Sequence, residues 1–242
     1  MRLLVVGGCG LVGSLVVPVL ARTHEIRVLD LVEPRTPVAG VEYHTGDVHD
    51  VDLVESLSSE VDSLVFMAMG PIANWGSPEN VRQHFDVATS GLYLTLTGAT
   101  RAGVRHAVYT SSMSVYPYEE ETTDVVTFPD ESVPPSATDF YGLAKRLGEE
   151  VCRAATERVD GMDVLCLRLC FPMPDDEWPK DENPRQRAIS TSGRDVAAAI
   201  EAALHRRGHG FDVYAISGDA TGKSMSIDKA RRELGWAPRD VT

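Results

Sequence analysis

Short apolar runs alternate with helix-like segments along most of the chain. The first run, residues 3–6, is continuously hydrophobic and leads into glycines, as expected of a strand buried on both faces of a parallel sheet. Further apolar runs predict strands at residues 26–29, 41–44, 63–67, 107–110, 163–169 and 212–216. Apolar residues at helical spacing predict helices at residues 11–21, 51–58, 78–102, 141–158 and 194–205.

This alternation predicts an α/β fold, a Rossmann-like doubly wound parallel sheet. We expect residues 1–169 to form the main domain and residues 170–242 to form a small carboxyl-terminal portion that binds substrate and is interleaved with it. Two polar loops, residues 117–139 and 172–187, follow strands at the carboxyl edge of the sheet. Open α/β sheets bind ligands at that edge, so both loops are expected near the site.

Composition narrows the classes of partner. The 242 residues include 23 basic and 36 acidic side chains, a formal charge of −13. This acidic balance disfavours nucleic acid and anionic membranes as partners. The four cysteines form no CxxC pair, which favours reduced thiols over a disulfide framework or a metal site. With no leader-like or membrane-spanning run, we expect a soluble, cytoplasmic protein.

A glycine-rich turn follows the first strand. Gly7, Gly10 and Gly13 satisfy G-x-x-G-x-x-G, and the segment also satisfies G-x-G-x-x-G within a strand–helix–strand unit. Glycines there let the backbone approach a pyrophosphate whose charge faces the helix amino end, although a tight turn without ligand is the alternative. Asp30 stands twenty residues after Gly10, the distance at which an acid binds the ribose hydroxyls, which favours NAD over NADP. The alternative to ribose binding is that Asp30 is only a helix cap or a turn residue.

Three further residues carry candidate chemistry. Tyr141 and Lys145 form a Y-x-x-x-K on one face of a predicted helix, one turn apart. A lysine ammonium beside a phenol, with an oxidised nicotinamide nearby, favours the phenolate and lowers the tyrosine pKa. Ser112 follows the strand at residues 107–110 and is placed to hydrogen-bond a reacting oxygen, although serines after strands are often capping residues.

The sequence resembles the extended short-chain dehydrogenase/reductase family, the NAD-dependent epimerase/dehydratases. Five features carry this resemblance: the glycine turn, the acid of VLD (Asp30), the SS-x-S-V-Y stretch, YGLAK and the late ARRELGWAP. The resemblance covers nearly the whole chain. It implies a catalytic trio of Ser112, Tyr141 and Lys145, with Lys145 also holding the nicotinamide ribose. The positions that it implies for NAD binding are Gly7, Gly10, Leu11, Val12 and Gly13 at the pyrophosphate, Asp30 at the ribose, Asp47 and Val48 at adenine, and Ala68, Met69 and Gly70 beside the cofactor.

Departures from the family pattern narrow the substrate. Met113 and Ser114 stand where nucleotide-sugar dehydratases carry an Asp-Glu pair, which argues against a 4,6-dehydratase. The short segment after residue 169 favours a small substrate and resembles the compact uronate dehydrogenases. Arg187 begins an R-x-x-S-T stretch similar to their carboxylate-binding arginine, and a guanidinium suits a carboxylate. The alternative to carboxylate binding is that Arg187 is a solvated loop residue. Met113 and Ser114 also replace the Asn and His of those enzymes.

These residues predict an NAD-dependent oxidoreductase that removes hydride from a hydroxyl carbon of a sugar or sugar acid. The substrate contacts expected are Ser112, Met113, Tyr141 and Arg187. One alternative is a sugar or nucleotide-sugar epimerase that retains NAD, and a second is a non-catalytic sensor of NAD(H). The helices near residues 85–102 and 141–158 are apolar beyond one stripe, and the family resemblance implies that they pair into a homodimer.

Overall fold

The computed structural model describes residues 1–117, 127–177 and 190–239, and it is built around one parallel sheet. The strands are β1 (Arg2–Val6), β2 (Glu25–Asp30), β3 (Val41–Thr45), β4 (Ser63–Phe66), β5 (His106–Ser112), β6 (Asp163–Leu169), β7 (Pro172–Met173), β8 (Thr191–Ser192) and β9 (Phe211–Ile216). Seven of them form the main sheet in the order β3-β2-β1-β4-β5-β6-β9, and β7 pairs with β8 separately. All neighbouring pairs are parallel.

Helices cover both faces of this sheet, which explains why its central strands β1, β4, β5 and β6 are buried along nearly their whole length. The helices are α1 (Leu11–Leu20), α2 (Val51–Leu57), α3 (Pro78–Asp86), α4 (Leu92–Arg101), α5 (Phe140–Arg158), α6 (Gly193–His205) and α7 (Asp228–Leu234). One core cluster joins the sheet to α1, α6 and α7, and a second joins its other face to α2, α4 and α5. The prediction of a doubly wound, Rossmann-like α/β fold is confirmed.

The predicted strands and helices are all present, with ends that differ by one or two residues, but the helix predicted at 78–102 is not uniform. A π-helical turn, Val87–Gly91, separates α3 from α4. Within it, the Thr89 hydroxyl donates to the Phe85 carbonyl at 2.5 Å and the Ser90 hydroxyl donates to the Asp86 carbonyl at 2.9 Å. Such back-bonding competes with the regular helical ladder.

The segment after residue 169 joins the main sheet through β9, while α6 packs against α1. The short helix α7 and the 3₁₀ turn Met113–Val115 have no counterpart in the sequence-based expectation. The four cysteines are free thiols. Within the described ranges, no helix has the length and apolar character needed to cross a bilayer. The same residues contain no cluster of three or more His, Cys, Asp or Glu side chains arranged for a metal ion.

Candidate active site

A cavity of about 470 Å³ opens at the carboxyl ends of β1, β4 and β5. The strand order reverses between β1 and β4, and such switch points are where open α/β sheets bind ligands. The glycine turn, the carboxyl ends of the neighbouring strands and the start of α5 line the cavity together. The sequence-predicted residues that line it are Gly7, Gly10, Leu11, Val12, Asp30, Val48, Ala68, Met69, Gly70, Ser112, Met113, Tyr141 and Lys145.

Two predicted residues lie beside the cavity lining, and one falls outside the described residues. A Cβ on Gly13 would lie 2.5 Å from the Gly8 carbonyl carbon and oxygen, so this glycine lets α1 pack on the turn. The Asp47 carboxylate accepts a hydrogen bond from the His49 backbone N–H at 2.9 Å, which lowers the pKa of Asp47. Its contact with adenine stays a prediction. Arg187 lies in the segment 178–189, outside the described residues.

The glycine turn has the shape that a bound pyrophosphate requires. Gly7 has a φ of +82°, and a Cβ there would lie 2.4 Å from the Ala68 backbone nitrogen. At Gly10 the nearest atom to a Cβ would be the Gly7 carbonyl oxygen at 3.4 Å, so that side of the turn is open. Gly10 also precedes the first turn of α1, whose backbone N–H groups and dipole favour an anion. The residues present therefore fit a dinucleotide.

Asp30 ends β2 at the rim of this turn. Its Oδ2 accepts a hydrogen bond from the Cys9 backbone N–H at 2.8 Å, which ties the turn to β2. Its carboxylate also lines the cavity. A negative charge here attracts ribose hydroxyls and repels a 2′-phosphate, as the sequence predicts for an NAD site.

Tyr141 and Ser112 meet because of how α5 begins. The Asp139 carboxylate caps the helix by accepting hydrogen bonds from the N–H groups of Tyr141 at 3.1 Å and Gly142 at 2.9 Å. A Cβ on Gly142 would lie 2.1 Å from the Ser114 carbonyl oxygen, so glycine is what lets α5 approach the end of β5. At this crossing the Ser112 side chain lies close enough to the Tyr141 phenol to lower its pKa.

Lys145 lies one turn further along α5, buried beneath Tyr141. Its Nζ donates a hydrogen bond to the Thr110 carbonyl at 2.8 Å and lies 6.0 Å from the centre of the Tyr141 ring. Burial lowers the pKa of Lys145 to about 8. Burial raises the pKa of Tyr141 by more than the nearby Ser112 side chain lowers it. The lowered tyrosine pKa expected from the sequence is therefore absent in the chain by itself.

A buried ion pair behind the trio was missed by sequence reasoning. Arg168 on β6 donates to Glu149 on α5 through Nη2–Oε2 at 2.7 Å and Nε–Oε1 at 2.9 Å. Ser111, the residue before Ser112, donates its hydroxyl to Glu149 Oε1 at 2.6 Å. The available signals were an arginine inside the apolar strand LCLRL and a glutamate four residues after Lys145.

The mouth of the cavity is apolar, which the sequence did not indicate. Large hydrophobic side chains there are exposed rather than packed in the core: Leu11, Leu31, Met69, Ile72, Trp75 and Phe171. Among the described lining residues, the charged side chains are Asp30 and Lys145. The mouth therefore offers its ligands mainly apolar surface.

Comparison with known proteins places this geometry in a family. The model of the NAD dependent epimerase/dehydratase family matches residues 3–188. The chain belongs to this family. Membership confirms the resemblance expected from the sequence and makes the protein an NAD-dependent enzyme of the dehydrogenase and epimerase type. The cofactor is NAD.

Relatives and solved structures are similar to the chain over different lengths. The uncharacterized protein y4nG of Sinorhizobium fredii is 30% identical over 173 residues, which are 68% of this chain and 39% of y4nG. Uronate dehydrogenase of Pseudomonas putida is 24% identical over 242 residues, covering 99% of this chain and 84% of that enzyme. The solved structure of a mutated uronate dehydrogenase superposes with a TM-score of 0.81 at 26% identity, over 99% of this chain and 82% of the other.

Proposed function

We propose that the protein oxidises a hydroxyl carbon of a sugar or sugar acid, with transfer of hydride to NAD. The observation that carries this proposal is the meeting of Ser112, Tyr141 and Lys145 in the same cavity as the glycine turn and Asp30. The likeness to uronate dehydrogenase supports a sugar-acid substrate.

Each member of the trio has a distinct role in this reaction. Tyr141, as phenolate, takes the proton of the substrate hydroxyl, and the C–H bond of the same carbon breaks to give a carbonyl group. Ser112, beside the phenol, orients the substrate oxygen. Lys145 stabilises the phenolate by its positive charge and holds the nicotinamide ribose. Bound NAD supplies the hydride acceptor.

The cofactor is held by the residues that line the other half of the cavity. Gly7, Gly10 and the first turn of α1 bind the pyrophosphate, while Asp30 binds the ribose. Leu31 and Val48 supply apolar surface for the adenine ring. Asp47 remains a candidate partner of the adenine amine.

A carboxylate on the substrate needs a cationic side chain to bind it. Among the described lining residues, Lys145 is the only cation, and we assign it to the phenolate and the ribose. Arg187 in its R-x-x-S-T stretch is the residue that we assign to the carboxylate contact. Replacement of Arg187 by Met is expected to raise the KM of a uronic acid while leaving that of a neutral aldose unchanged. An equal effect on both sugars would remove the assignment.

The substrate class is tested by a panel. Purified protein is mixed with NAD, and separately with NADP, against free uronic acids, aldoses and nucleotide sugars, and absorbance is read at 340 nm. Net NADH formation from a uronic acid or aldose supports the proposal. Conversion of a sugar to its epimer without net NADH would replace it with the epimerase function that the family name also covers. NAD binding with no turnover would favour the NAD(H) sensor, against which the assembled trio argues.

We further propose a homodimer in the cytoplasm. The support for the dimer is that α4 and α5 lie side by side and each leaves a large side chain exposed, Tyr93 and Leu147. The compartment stays a prediction from the sequence.

A further inference from the structure

The connection from β4 to α3, residues 67–77, carries a tryptophan to the mouth of the cavity. The Trp75 side chain lines the cavity and is 52% exposed. Its ring centre lies 5.4 Å from that of Tyr141. An indole is therefore presented beside the proposed proton acceptor, on a surface where hydrophobic area is left in contact with water.

A buried side chain holds this connection in its shape. Asn80, which is 2% exposed, accepts a hydrogen bond from the Gly76 N–H at 3.1 Å and donates to the carbonyls of Pro71 at 2.5 Å and Ala73 at 3.2 Å. Asn74 and Gly76 adopt positive φ angles of 55° and 78°. Trp75 thus lies on a turn whose backbone is fixed on both sides of it.

The indole is also supported from beneath. Its ring centre lies 5.0 Å from that of His84, in an edge-on arrangement, and 4.9 Å from that of Phe140. A Cβ on Gly70 would lie 2.7 Å from the His84 ring, so the cavity floor packs directly on this histidine. Burial lowers the pKa of His84, which keeps the imidazole neutral at pH 7. The aromatic support therefore presents an uncharged surface.

We propose that Trp75 determines substrate specificity by packing its indole against the carbon–hydrogen face of the sugar ring whose reacting hydroxyl Tyr141 deprotonates. The inference rests on the proposed function and deepens it. The ring centres of Trp75 and Tyr141 are 5.4 Å apart, so we expect a six-membered ring whose reacting hydroxyl lies within roughly 3 Å of the phenol oxygen to come within reach of the indole. A pre-positioned aromatic side chain gives large contact area at little entropic cost, which is why such residues dominate binding energy at ligand sites.

Other apolar side chains line the same cavity as Trp75, namely those of Ile72, Met113 and Phe171. The ligand recognised is a pyranose or furanose ring with one face free of polar substituents.

The first experiment compares Trp75→Ala with Trp75→Phe, which keeps an aromatic ring. The KM of the sugar is expected to rise roughly 5- to 30-fold in Trp75→Ala, corresponding to about 1–2 kcal/mol of lost contact, and less than threefold in Trp75→Phe. The KM of NAD should stay within twofold in both variants. A raised KM for NAD with an unchanged KM for the sugar would overturn the proposal, because the indole would then contact the cofactor. Unchanged constants for both would also overturn it.

A binding measurement keeps this inference separate from the oxidoreductase function. In a Tyr141→Phe/Trp178→Phe protein saturated with NAD, the tryptophans left are Trp75 and Trp236, and Trp236 is 4% exposed. Each sugar of the panel is titrated into this protein, and tryptophan emission is followed. A saturable change in emission that is absent when the protein also carries Trp75→Phe supports contact between the indole and the sugar. No change with any sugar overturns it. Absence of turnover by the natural protein would reject the oxidoreductase function, while this titration still decides the role of Trp75.

Discussion

At the residue scale, Gly10 and Gly13 differ in how much space surrounds them in the glycine turn. A methyl group at Gly10 would meet nothing closer than the Gly7 carbonyl oxygen at 3.4 Å, whereas at Gly13 it would lie 2.5 Å from the Gly8 backbone. We predict that Gly10→Ala changes the free energy of unfolding by less than about 1 kcal/mol but weakens NAD binding at least tenfold, because the methyl group occupies the pyrophosphate side. Gly13→Ala should instead lower the unfolding free energy by about 1–3 kcal/mol.

Urea unfolding and NAD titration of the two variants separate these effects. If Gly10→Ala bound NAD as tightly as the natural protein, the turn would not approach the cofactor closely. If Gly13→Ala unfolded like the natural protein, the close packing at this glycine would be wrong.

Lys145 gives the second prediction at this scale, through the pH dependence of stability. Its pKa is about 8 in the folded protein against an ordinary 10.5, so the unfolded chain binds more protons between these values. Stability must then rise with pH in that window, and the cost of the buried charge is fully present below pH 8. Measured against Lys145→Met without cofactor, the natural protein is expected to gain about 2 kcal/mol of unfolding free energy between pH 8 and 10. A difference that stays flat across this range would contradict a lowered pKa.

At the element scale, the ion pair of Glu149 and Arg168 connects α5 to β6 and, through Ser111, to β5. Both side chains are about as buried as the core, at 4% and 3% exposure. Removal of one partner leaves a buried charge unpaired, so Glu149→Met should lower the unfolding free energy by about 3–5 kcal/mol, and Glu149→Met/Arg168→Met should recover most of it. Because Ser111 precedes Ser112, kcat should fall in the single variant as well.

The exposed pair of Glu79 and Arg82 provides a control for this cycle. Its side chains are both 63% exposed, and Glu79→Met should leave stability and kcat unchanged within error. Equal stability of the single and double variants at the buried pair would show that the two charges do not act as a unit.

The helices and strands could be predicted from the sequence where neighbouring residues determine them. Continuous apolar runs predict strands buried on both faces, and glycine at positions 7 and 10 marks the turn before α1. The π-helical turn depends on where the Thr89 and Ser90 hydroxyls find acceptors. The pairing of Glu149 with Arg168 joins residues 19 apart in sequence across two elements. Neither is encoded in a periodicity.

The candidate site was predictable where a motif implies geometry. Tyr141 and Lys145 share a helix face by spacing alone, and Ser112 ends a strand at the ligand-binding edge. The raised pKa of Tyr141 depends on desolvation, which spacing does not report. The position of Trp75 depends on hydrogen bonds between the Asn80 side chain and the backbone of the connection from β4 to α3, and such contacts leave no pattern in the sequence.

At the scale of the whole molecule, the proposed dimer is a prediction about α4 and α5. Leu147 on α5 is 38% exposed although it is large and apolar. Light scattering at micromolar concentration should give twice the chain mass of 26.3 kDa, and Leu147→Glu should give the monomer. Val133, 43% exposed and outside both helices, is the matched control, and Val133→Glu should leave the dimer intact. A monomer mass for the natural protein would refute the dimer.

The central claim, an NAD-dependent sugar oxidoreductase with Tyr141 as proton acceptor, is tested most directly by NADH formation at 340 nm for the natural protein and Tyr141→Phe on the same sugar. The natural protein should reduce one NAD for each sugar oxidised. Tyr141→Phe should lower kcat by about 10²–10⁴-fold while binding NAD with unchanged affinity. Full turnover by Tyr141→Phe, or sugar conversion by the natural protein without net NADH, would contradict the claim.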